Sequence, residues 1–435
     1  MSTLKVNKLR DTAGSADAIT LDPNGGAVLA GVTTVSTVKV GSGVTISSDG
    51  DVFTTGITTS STVIVGSGVT ISESGIEASG IGITVANVNG GQIGGRRNLI
   101  INGAMEIQQR ASGNYTTITS SYTQIDRYHV YANPASKLTY EPSTDSPTGF
   151  SNSFKITSTS AYTPTSGNYF YMGQRIEGHN WKHLEYGTSN AKTITISFWV
   201  KSSITGTWSG IVKNSSQDRT FPWEYTISSA DTWEKKSVTV IGCPDGTWAT
   251  DDNDSAWIYF CIGSTTSGTT YLGSANSWQS QNLIGTTGSN SLPNTNGATW
   301  YMTGLQVELG TQMTEFEYRT FAEELDLCRR YCQVYKSVGN YTRFATTIAQ
   351  SSSSIRSIFY LKKQLRAVPT FSYSGNFQCA NATNFDMANM ALESSSTSTD
   401  IIVIKQGSMS VNANNAFFLA GNDDTSATIN FDSEI

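Results

Sequence analysis

Charged residues are scarce in this chain of 435 residues: they make up 14% of it, against a usual fraction of about 25% in soluble domains. The net charge of -6 is small for this length, and no long basic run is present, which argues against nucleic acid as the main partner. Apolar and aromatic residues nevertheless recur at strand spacing, so disorder is not expected. The composition favours a mainly β protein whose surface is rich in hydroxyl groups.

Long apolar runs are lacking too. No stretch of about 18 apolar residues could span a bilayer, and the start of the chain, Met1–Val6, has no apolar signal-peptide segment. We therefore expect assembly in a host cytoplasm without membrane insertion. The cysteines have no paired short spacing of a disulfide framework, so reduced thiols are expected at all five positions, 243, 261, 328, 332 and 379.

Motifs for catalysis and cofactors are also missing. No GxSxG, phosphate loop or dinucleotide fingerprint occurs, so neither an enzyme nor a cofactor is expected. His179 and His183 have i, i+4 spacing, but neither a helix nor a third zinc ligand is indicated there, which favours a surface loop. The run Asp251–Asp254 could offer oxygens to Ca²⁺, but it lacks the glycine and distal glutamate of an EF-hand. A solvated acidic loop is the favoured interpretation.

What the chain does contain is an internal repeat near its start. The segment Val40–Ser47 returns as Val65–Ser72, twenty-five residues later. A unit of this length cannot bury its own apolar face, and a stable solenoid normally needs three or more such units. One chain supplies about two, so the missing neighbours are expected from other copies. We interpret residues 31–95 as the shaft of a homo-oligomer and residues 1–30 as an N-terminal anchor.

A tryptophan-rich region follows from residue 96 to residue 319. All nine tryptophans lie between Trp181 and Trp300. Alternating apolar and polar residues predict strands over 193–201, 256–262 and 300–309, separated by long loops rich in Ser, Thr, Asn and Gly. Such strands over this length predict a jelly-roll-like sandwich of two antiparallel sheets.

A helix is predicted over residues 320–336. Thr320 and Glu323 have the spacing of a capping box, and acidic residues precede basic ones as the helix dipole favours. Phe321, Cys332 and Tyr335 belong to a stripe that suits either a coiled coil or packing on the same domain. Residues 337–435 return to short strands, predicted at 343–347, 355–361, 399–405 and 416–419, and are predicted to form a small β-rich tip module.

Three segments resemble tail-fibre proteins of tailed bacteriophages, particularly those of marine and cyanobacterial viruses. Asn98–Arg110 is similar to the opening of the family's sandwich domain, Gly304–Gly310 with Phe316–Arg319 to its closing strand, and Glu323–Tyr331 to the helix that follows. The resemblance covers roughly residues 31–336. It implies a trimeric component of the virion tail with a carbohydrate-binding-module-like sandwich that faces the host. It also implies attachment through the N-terminus to a tail, portal, adaptor or nozzle protein.

Aromatic residues are the candidates for binding a host glycan, because a pyranose offers a C–H face that stacks on a ring. Trp199 lies opposite the apolar face of its predicted strand, and Trp257 and Tyr259 share one face of theirs. Four further tryptophans are placed in loops, where a ring is freer to reach a ligand: Trp208, Trp223, Trp248 and Trp278. The alternative is that these rings form a second apolar layer or a trimer contact.

The leading hypothesis for function is a fibre that adsorbs to host surface polysaccharide, with avidity from three linked weak sites. One alternative is a capsid or tail connector fibre that binds no receptor. Another is a polysaccharide depolymerase carried on the fibre, which needs two carboxylates about 5 to 9.5 Å apart. Fibre depolymerases resemble long β-helices, and about two repeat units cannot form one.

Overall fold

The computed structural model describes residues 96–434 apart from 111–114, 117–119, 265–270, 381–384 and 409, together with six short strands between residues 8 and 78. By its internal contacts the chain divides into two compact units, residues 1–84 and 85–435. Within the described residues, the helices are all too short or too polar to cross a membrane.

The first unit contains two small antiparallel sheets of three strands each. One consists of β1 (Lys8–Arg10), β2 (Asp17–Leu21) and β3 (Ala27–Leu29), and the other of β4 (Thr62–Val65), β5 (Val69–Ser72) and β6 (Gly75–Ala78). The second copy of the repeat therefore contributes β5 and the end of β4. The first copy, at 40–47, lies outside the described residues, as does most of 31–95. The predicted anchor, shaft and trimer stay predictions.

The second unit opens with a sandwich of two six-stranded antiparallel sheets, which confirms the predicted mainly β, jelly-roll-like fold. The strands of the first sheet, in spatial order, are β16 (Glu234–Val240), β13 (Ile194–Ser202), β20 (Thr299–Leu309), β11 (Ser153–Ser158), β10 (Leu138–Ser143) and β7 (Tyr115–Thr116). Those of the second sheet are β15 (Thr220–Ile227), β14 (Gly206–Asn214), β17 (Asp254–Ser264), β12 (Tyr169–Glu177), β9 (His129–Asn133) and β8 (Ser120–Tyr122).

Short elements connect these strands. They are the helix α1 (Gly178–Trp181), the 3₁₀ turns Lys182–Leu184 and Leu292–Asn294, and the parallel pair β18 (Leu272–Gly273) and β19 (Gly285–Thr286). The predicted surface loop at His179 and His183 is thus one helical turn followed by a 3₁₀ turn. Both histidines are exposed.

The core lies between the two sheets, where alternate residues of each strand meet. Ile194, Ile196 and Phe198 are buried on the inner side of β13, as their alternation predicts. The prediction that Trp208 and Trp223 lie in loops was wrong. They lie in β14 and β15 and are fully buried, because paired strands carry their rings into the core. All five cysteines are free and buried.

The predicted helix is shorter than expected. The capping box at its start is present: the Thr320 hydroxyl accepts from the amide of Glu323, and the Glu323 carboxylate accepts from the amide of Thr320. However, α2 spans Phe321–Arg329 and does not continue to residue 336. Residues Cys332–Lys336 form strand β21 instead, because they pair with β30 (Thr428–Asp432). The predicted helical stripe that included Cys332 and Tyr335 is therefore wrong.

The remaining strands form a β-rich C-terminal module. One sheet has the order β21, β30 and β24 (Thr370–Ser374). The other has seven strands, in the order β26 (Phe385–Met387), β25 (Phe377–Ala380), β29 (Ala416–Gly421), β22 (Arg343–Ser351), β23 (Ser354–Tyr360), β28 (Ile401–Gly407) and β27 (Ala391–Leu392). A 3₁₀ turn, Ser394–Ser396, follows β27.

Two ion pairs attach this module to the sandwich. Arg330 donates to both carboxylate oxygens of Glu177 at 2.9 and 2.6 Å, and the Tyr331 hydroxyl donates to Glu177 at 2.7 Å. Arg127 pairs with Glu434, and its guanidinium carbon lies 3.5 Å from the centre of the Tyr331 ring. The module is thus held against one end of the second sheet.

Candidate functional site

The outer face of the second sheet, which points away from the core, carries a cluster of aromatic rings. Cross-strand pairing places Tyr131 of β9 beside Tyr171 of β12, and Arg175 of β12 beside Trp257 of β17. We call this cluster the aromatic face and define it by six residues: Tyr131, Tyr169, Tyr171, Trp257, Tyr259 and Tyr271. Three strands and the residue before β18 therefore supply one continuous surface.

The rings of the aromatic face contact each other in series. The centroids of Tyr131 and Tyr171 lie 4.7 Å apart in a stacked arrangement, and Tyr171 meets Tyr259 edge-on at 5.2 Å. Tyr169 lies 5.6 Å from both Tyr171 and Tyr271. Such pairs gain about 0.5–1.5 kcal/mol each beyond their area burial. The rings are therefore held in fixed orientations before any ligand arrives.

Exposure differs between the inner and outer rings. Tyr259 is fully buried, and Trp257 and Tyr171 expose only 6% and 8% of their surface. Tyr131, Tyr169 and Tyr271 are half-buried. The inner rings form a packed base, and the outer three present ring surface to solvent.

Two cations are packed into the aromatic face. The guanidinium carbon of Arg175 lies 4.0 Å from the centre of Trp257 and 5.8 Å from that of Tyr131, and the guanidinium also donates to the Tyr131 hydroxyl. Asp254 accepts from the Trp257 indole at 2.6 Å and fixes that ring. Lys213 lies 4.6 Å from the Trp257 ring, and its ammonium donates to Asn282 at 2.9 Å. Lys213 is buried and Arg175 is half-buried, and this loss of water strengthens their attraction to the rings.

Burial changes the ionisation of two groups here. Burial, with a smaller contribution from the positive charge of Arg175, lowers the pKa of Lys213 to about 7. Burial likewise lowers the pKa of His129 to about 3, again with help from Arg175, so this imidazole is neutral at physiological pH. The His129 ring lies 4.1 Å from Tyr131, and its Nε2 is 2.9 Å from the Ser120 hydroxyl.

The structure does not gather the five candidate residues of the sequence into one site. Trp257 and Tyr259 both lie in the aromatic face. Trp199 is half-buried on the outer side of the first sheet, opposite Thr303. Trp248 and Trp278 contact each other at 5.8 Å in a separate cluster. Of these two, Trp248 is 8% exposed and Trp278 is half-buried.

The sequence interpretation missed Tyr131, Tyr169, Tyr171 and Tyr271, because it considered only the strands and loops that contain tryptophan. A signal was available for the first three in the alternation of the two strands that carry them. His129 and Tyr131 are two residues apart, as are Tyr169 and Tyr171, so each pair points to one side of its strand. What the sequence does not show is that these two strands are neighbours.

Among the residues that the structure describes, one group of side chains brings metal-ligand types into proximity: Glu177, His179 and Asp252. The Glu177 carboxylate already accepts three hydrogen bonds from Arg330 and Tyr331. Asp252 pairs with His179 at 3.2 Å and with Arg330 at 3.1 Å. These groups therefore satisfy one another as an ion-pair network that joins α1 to the C-terminal module.

Comparisons with known proteins give matches at the level of structure only; no protein-family model and no curated protein sequence matches the chain. The enzymatically active domain of bacteriophage CBA120 tailspike protein 4 matches with 16% identity and a TM-score of 0.25, over 49% of this chain and 21% of that one. A Bacteroides thetaiotaomicron protein that is assigned by name as sugar-binding matches with 13% identity and a TM-score of 0.31, over 49% of this chain and 100% of that one. A family 11 carbohydrate-binding module of a Clostridium thermocellum cellulase matches with 13% identity and a TM-score of 0.23, over 48% and 100%.

Proposed function

We propose that the chain is a tail-fibre protein of a virion that adsorbs to host cell-surface polysaccharide through the aromatic face. The observation that carries this proposal is the arrangement of Tyr131, Tyr169 and Tyr271 as half-buried rings, each with part of its surface open to solvent, on a packed base. Such rings offer flat apolar surface for the C–H faces of sugars. The guanidinium of Arg175 and the tyrosine hydroxyls offer hydrogen bonds to sugar hydroxyls at the same place.

The proposal includes a homotrimer attached to the tail through its N-terminus. Its support is the repeat at 40–47 and 65–72, which supplies about two units where a solenoid needs three or more. Three linked copies would raise the effective affinity of a weak site by about 10² to 10⁴ without a new contact. In this proposal the protein binds polysaccharide without cleaving it.

Competition for adsorption is the direct test. Purified full-length protein, added to host cells before the virus, should reduce adsorption, and it should bind the isolated surface polysaccharide. The control is protein carrying Tyr131→Ala together with Tyr169→Ala, checked for native circular dichroism. Equal inhibition by both proteins would reject the aromatic face as the binding site, and inhibition by neither would reject adsorption.

Two further measurements test the assembly. Light scattering should give three times the mass of 46.7 kDa, and a stable monomer would contradict the trimer. Antibody labelling of intact virions should place the protein on the tail. Labelling confined to the capsid would favour a decorating fibre, and release of new reducing ends from the polysaccharide would favour a depolymerase.

A further inference from the structure

The outer face of the first sheet carries a second group of aromatic rings, on the side of the sandwich opposite the aromatic face. We call this group the tryptophan face and define it by Trp199, Trp233 and Tyr301. Trp199 lies in β13 and Tyr301 in the neighbouring strand β20, while Trp233 immediately precedes β16. All three side chains are half-buried. Part of each side chain is therefore in contact with solvent.

A lysine is packed beneath two of these rings. Lys201 of β13 lies directly opposite Tyr301 in the strand register. Its ammonium is 4.4 Å from the centre of the Tyr301 ring and 5.3 Å from that of Trp233, and the two ring centres are 6.1 Å apart. Because Lys201 is buried and the rings are half-buried, the rings cover the ammonium and reach solvent beyond it.

Asp145 fixes this arrangement. Its carboxylate accepts from the Trp233 indole at 3.0 Å and forms an ion pair with Lys201. The ion pair holds the lysine under the rings, and the indole bond fixes the plane of Trp233. The ring is therefore oriented before a ligand arrives.

The aromatic face contains the same four parts. There Asp254 accepts from the Trp257 indole and pairs with Arg175 at 3.5 Å. The Arg175 guanidinium in turn lies beside the rings of Trp257 and Tyr131. On both outer surfaces, then, a carboxylate fixes an indole, and a cation paired with that carboxylate contacts the indole and a tyrosine ring. The two sheets build this arrangement from different strands.

Polar groups beside the rings of the tryptophan face are open to a ligand. Among the described residues, neither the Trp199 indole nor the Tyr301 hydroxyl has a hydrogen-bond partner, and neither group is enclosed. The Asp145 side chain is 47% exposed and adds an acceptor. A sugar stacked on a ring has hydroxyl groups at its edge, which bond to polar groups placed in this way.

The charges around the tryptophan face cancel. Its three lysines each pair with a carboxylate: Lys201 with Asp145, Lys155 with Glu141, and Lys235 with Glu315. A surface whose charges are paired has no net attraction for an anion. This face is therefore matched to a ligand without net charge.

We propose that the tryptophan face is a second polysaccharide-binding surface, which takes neutral sugar units. The rings of Trp199 and Tyr301 stack on C–H faces of the sugars, and the Trp199 indole and Asp145 bond their hydroxyl groups. The packed sheets alone hold the two faces about 10 Å apart, so one sandwich binds two separate stretches of polysaccharide. This proposal rests on the proposed function, since it assigns a second surface to the same ligand.

Isothermal titration calorimetry of the full chain counts the binding surfaces. The probe is isolated host polysaccharide cut to fragments of about four sugar units, which are too short to reach round the packed sheets. Two fragments should bind per chain. Trp199→Ala with Tyr301→Ala should reduce this number to one, and so should Tyr131→Ala with Tyr169→Ala. Tyr360→Ala, at an exposed tyrosine of the C-terminal module, is the control and should leave it at two.

The outcomes separate this proposal from the proposed function. If one fragment binds per chain, and binding is lost without Tyr131 and Tyr169 but kept without Trp199 and Tyr301, the second surface is rejected and the proposed function stands. The opposite pattern rejects the aromatic face and supports the tryptophan face. Absence of binding to the unaltered chain rejects both.

Hydroxyl-radical footprinting of the unaltered chain keeps the test valid if circular dichroism shows that a variant fails to fold. The fragments should protect Trp199 and Tyr301 from oxidation and leave Tyr360 unprotected. Protection confined to Tyr131 and Tyr169 would overturn the proposal.

Salt tests the assignment of neutral sugar units. In the variant that lacks Tyr131 and Tyr169, the affinity of the remaining surface should change less than about twofold between about 0.05 and 0.5 M NaCl. A loss of about tenfold over this range would show that charge drives the binding, and it would overturn the assignment.

Discussion

The side-chain amide of Asn98 donates to the carbonyl of Leu305 at 3.1 Å. The carbonyl oxygen of the same side chain accepts from the amides of Ile100 and Val307 at 3.0 and 3.1 Å. Asn98 is 4% exposed, so these bonds replace water that cannot reach it. One side chain thus joins the segment that opens the sandwich to β20, the strand that closes it.

Removal of this link should destabilise the sandwich. Asn98→Ala leaves the Leu305 carbonyl and the Val307 amide buried without this partner, and we expect the free energy of unfolding to fall by about 2–4 kcal/mol. Urea unfolding followed by tryptophan fluorescence measures this. The exposed Asn190→Ala is the control and should change stability by less than about 0.5 kcal/mol. A similarly small effect of Asn98→Ala would contradict the role assigned to these bonds.

The contact between Arg330 and Glu177 should stabilise the attachment of the C-terminal module. Burial alone would raise the pKa of Glu177, but bonds from Arg330 and Tyr331 outweigh it and hold the pKa below its usual range. Glu177→Gln should therefore cost about 2–3 kcal/mol and speed proteolysis near the junction. Glu315→Gln, which breaks an exposed pair with Lys235, is the matched control. Equal proteolysis of both variants would refute the assignment.

His129 should make the protein sensitive to acid. The folded chain keeps the imidazole neutral with a pKa of about 3, mainly through burial, whereas the unfolded chain protonates it near pH 6.5. Unfolding therefore takes up a proton between these values, and stability falls as pH falls from 6.5 toward 3. The loss reaches at most about 5 kcal/mol. Denaturation of wild type and His129→Gln across this range should show a shallower pH dependence in the variant; parallel curves would exclude His129 as the cause.

Lys213 should destabilise the fold at neutral and acidic pH. Its pKa in the folded chain is about 7 because of burial, but about 10.4 when exposed. Only the unfolded chain holds the proton between these values, so stability rises with pH from 7 to 10. Lys213→Met should raise the melting temperature most at pH 6, by an amount equivalent to about 1–2 kcal/mol, with the gain shrinking by pH 9. A gain independent of pH would point to packing rather than charge.

The aromatic face can be mapped by single substitutions. Tyr131→Ala and Tyr169→Ala should each weaken polysaccharide binding about tenfold, because each removes one exposed ring from the stacking surface. Tyr341→Ala, at an exposed tyrosine of the C-terminal module, is the control. Trp199→Ala and Trp278→Ala test the half-buried tryptophans of the sequence prediction. If Trp199→Ala and Trp278→Ala lose binding while Tyr131→Ala and Tyr169→Ala keep it, the binding site lies outside the aromatic face.

The sequence predicts strands well where one face alternates cleanly. In β13, Ile194, Ile196 and Phe198 are buried as expected, and the C-terminal strands begin within two residues of their predicted starts. The prediction for Trp208 was wrong because Gly206 and Gly210 interrupt the apolar pattern of β14. The prediction for Trp223 was wrong although its strand alternates, because Pro222 beside it argues against a strand. The predicted end of α2 was wrong because Cys332–Lys336 pair with β30, almost a hundred residues away in sequence. This pairing outweighs the helical spacing of the segment.

The aromatic face depends on the same kind of long-range information. Its tyrosines come from β9, β12, β17 and the residue before β18, and no local pattern shows that these are neighbours. Trp257 and Tyr259 could be found because they share one strand. The rings that complete the surface become visible only with the sheet order.

The position of β20 inside the first sheet also sets when the domain can fold. This strand lies between β11 and β13, so neither of those strands has its second neighbour until the ribosome has added residue 309. Sheets built from such distant pairings fold slowly, and an incomplete chain presents open strand edges in the meantime. A stop codon placed before residue 299 should therefore yield insoluble protein, even though the tryptophan-rich strands of the second sheet are all present.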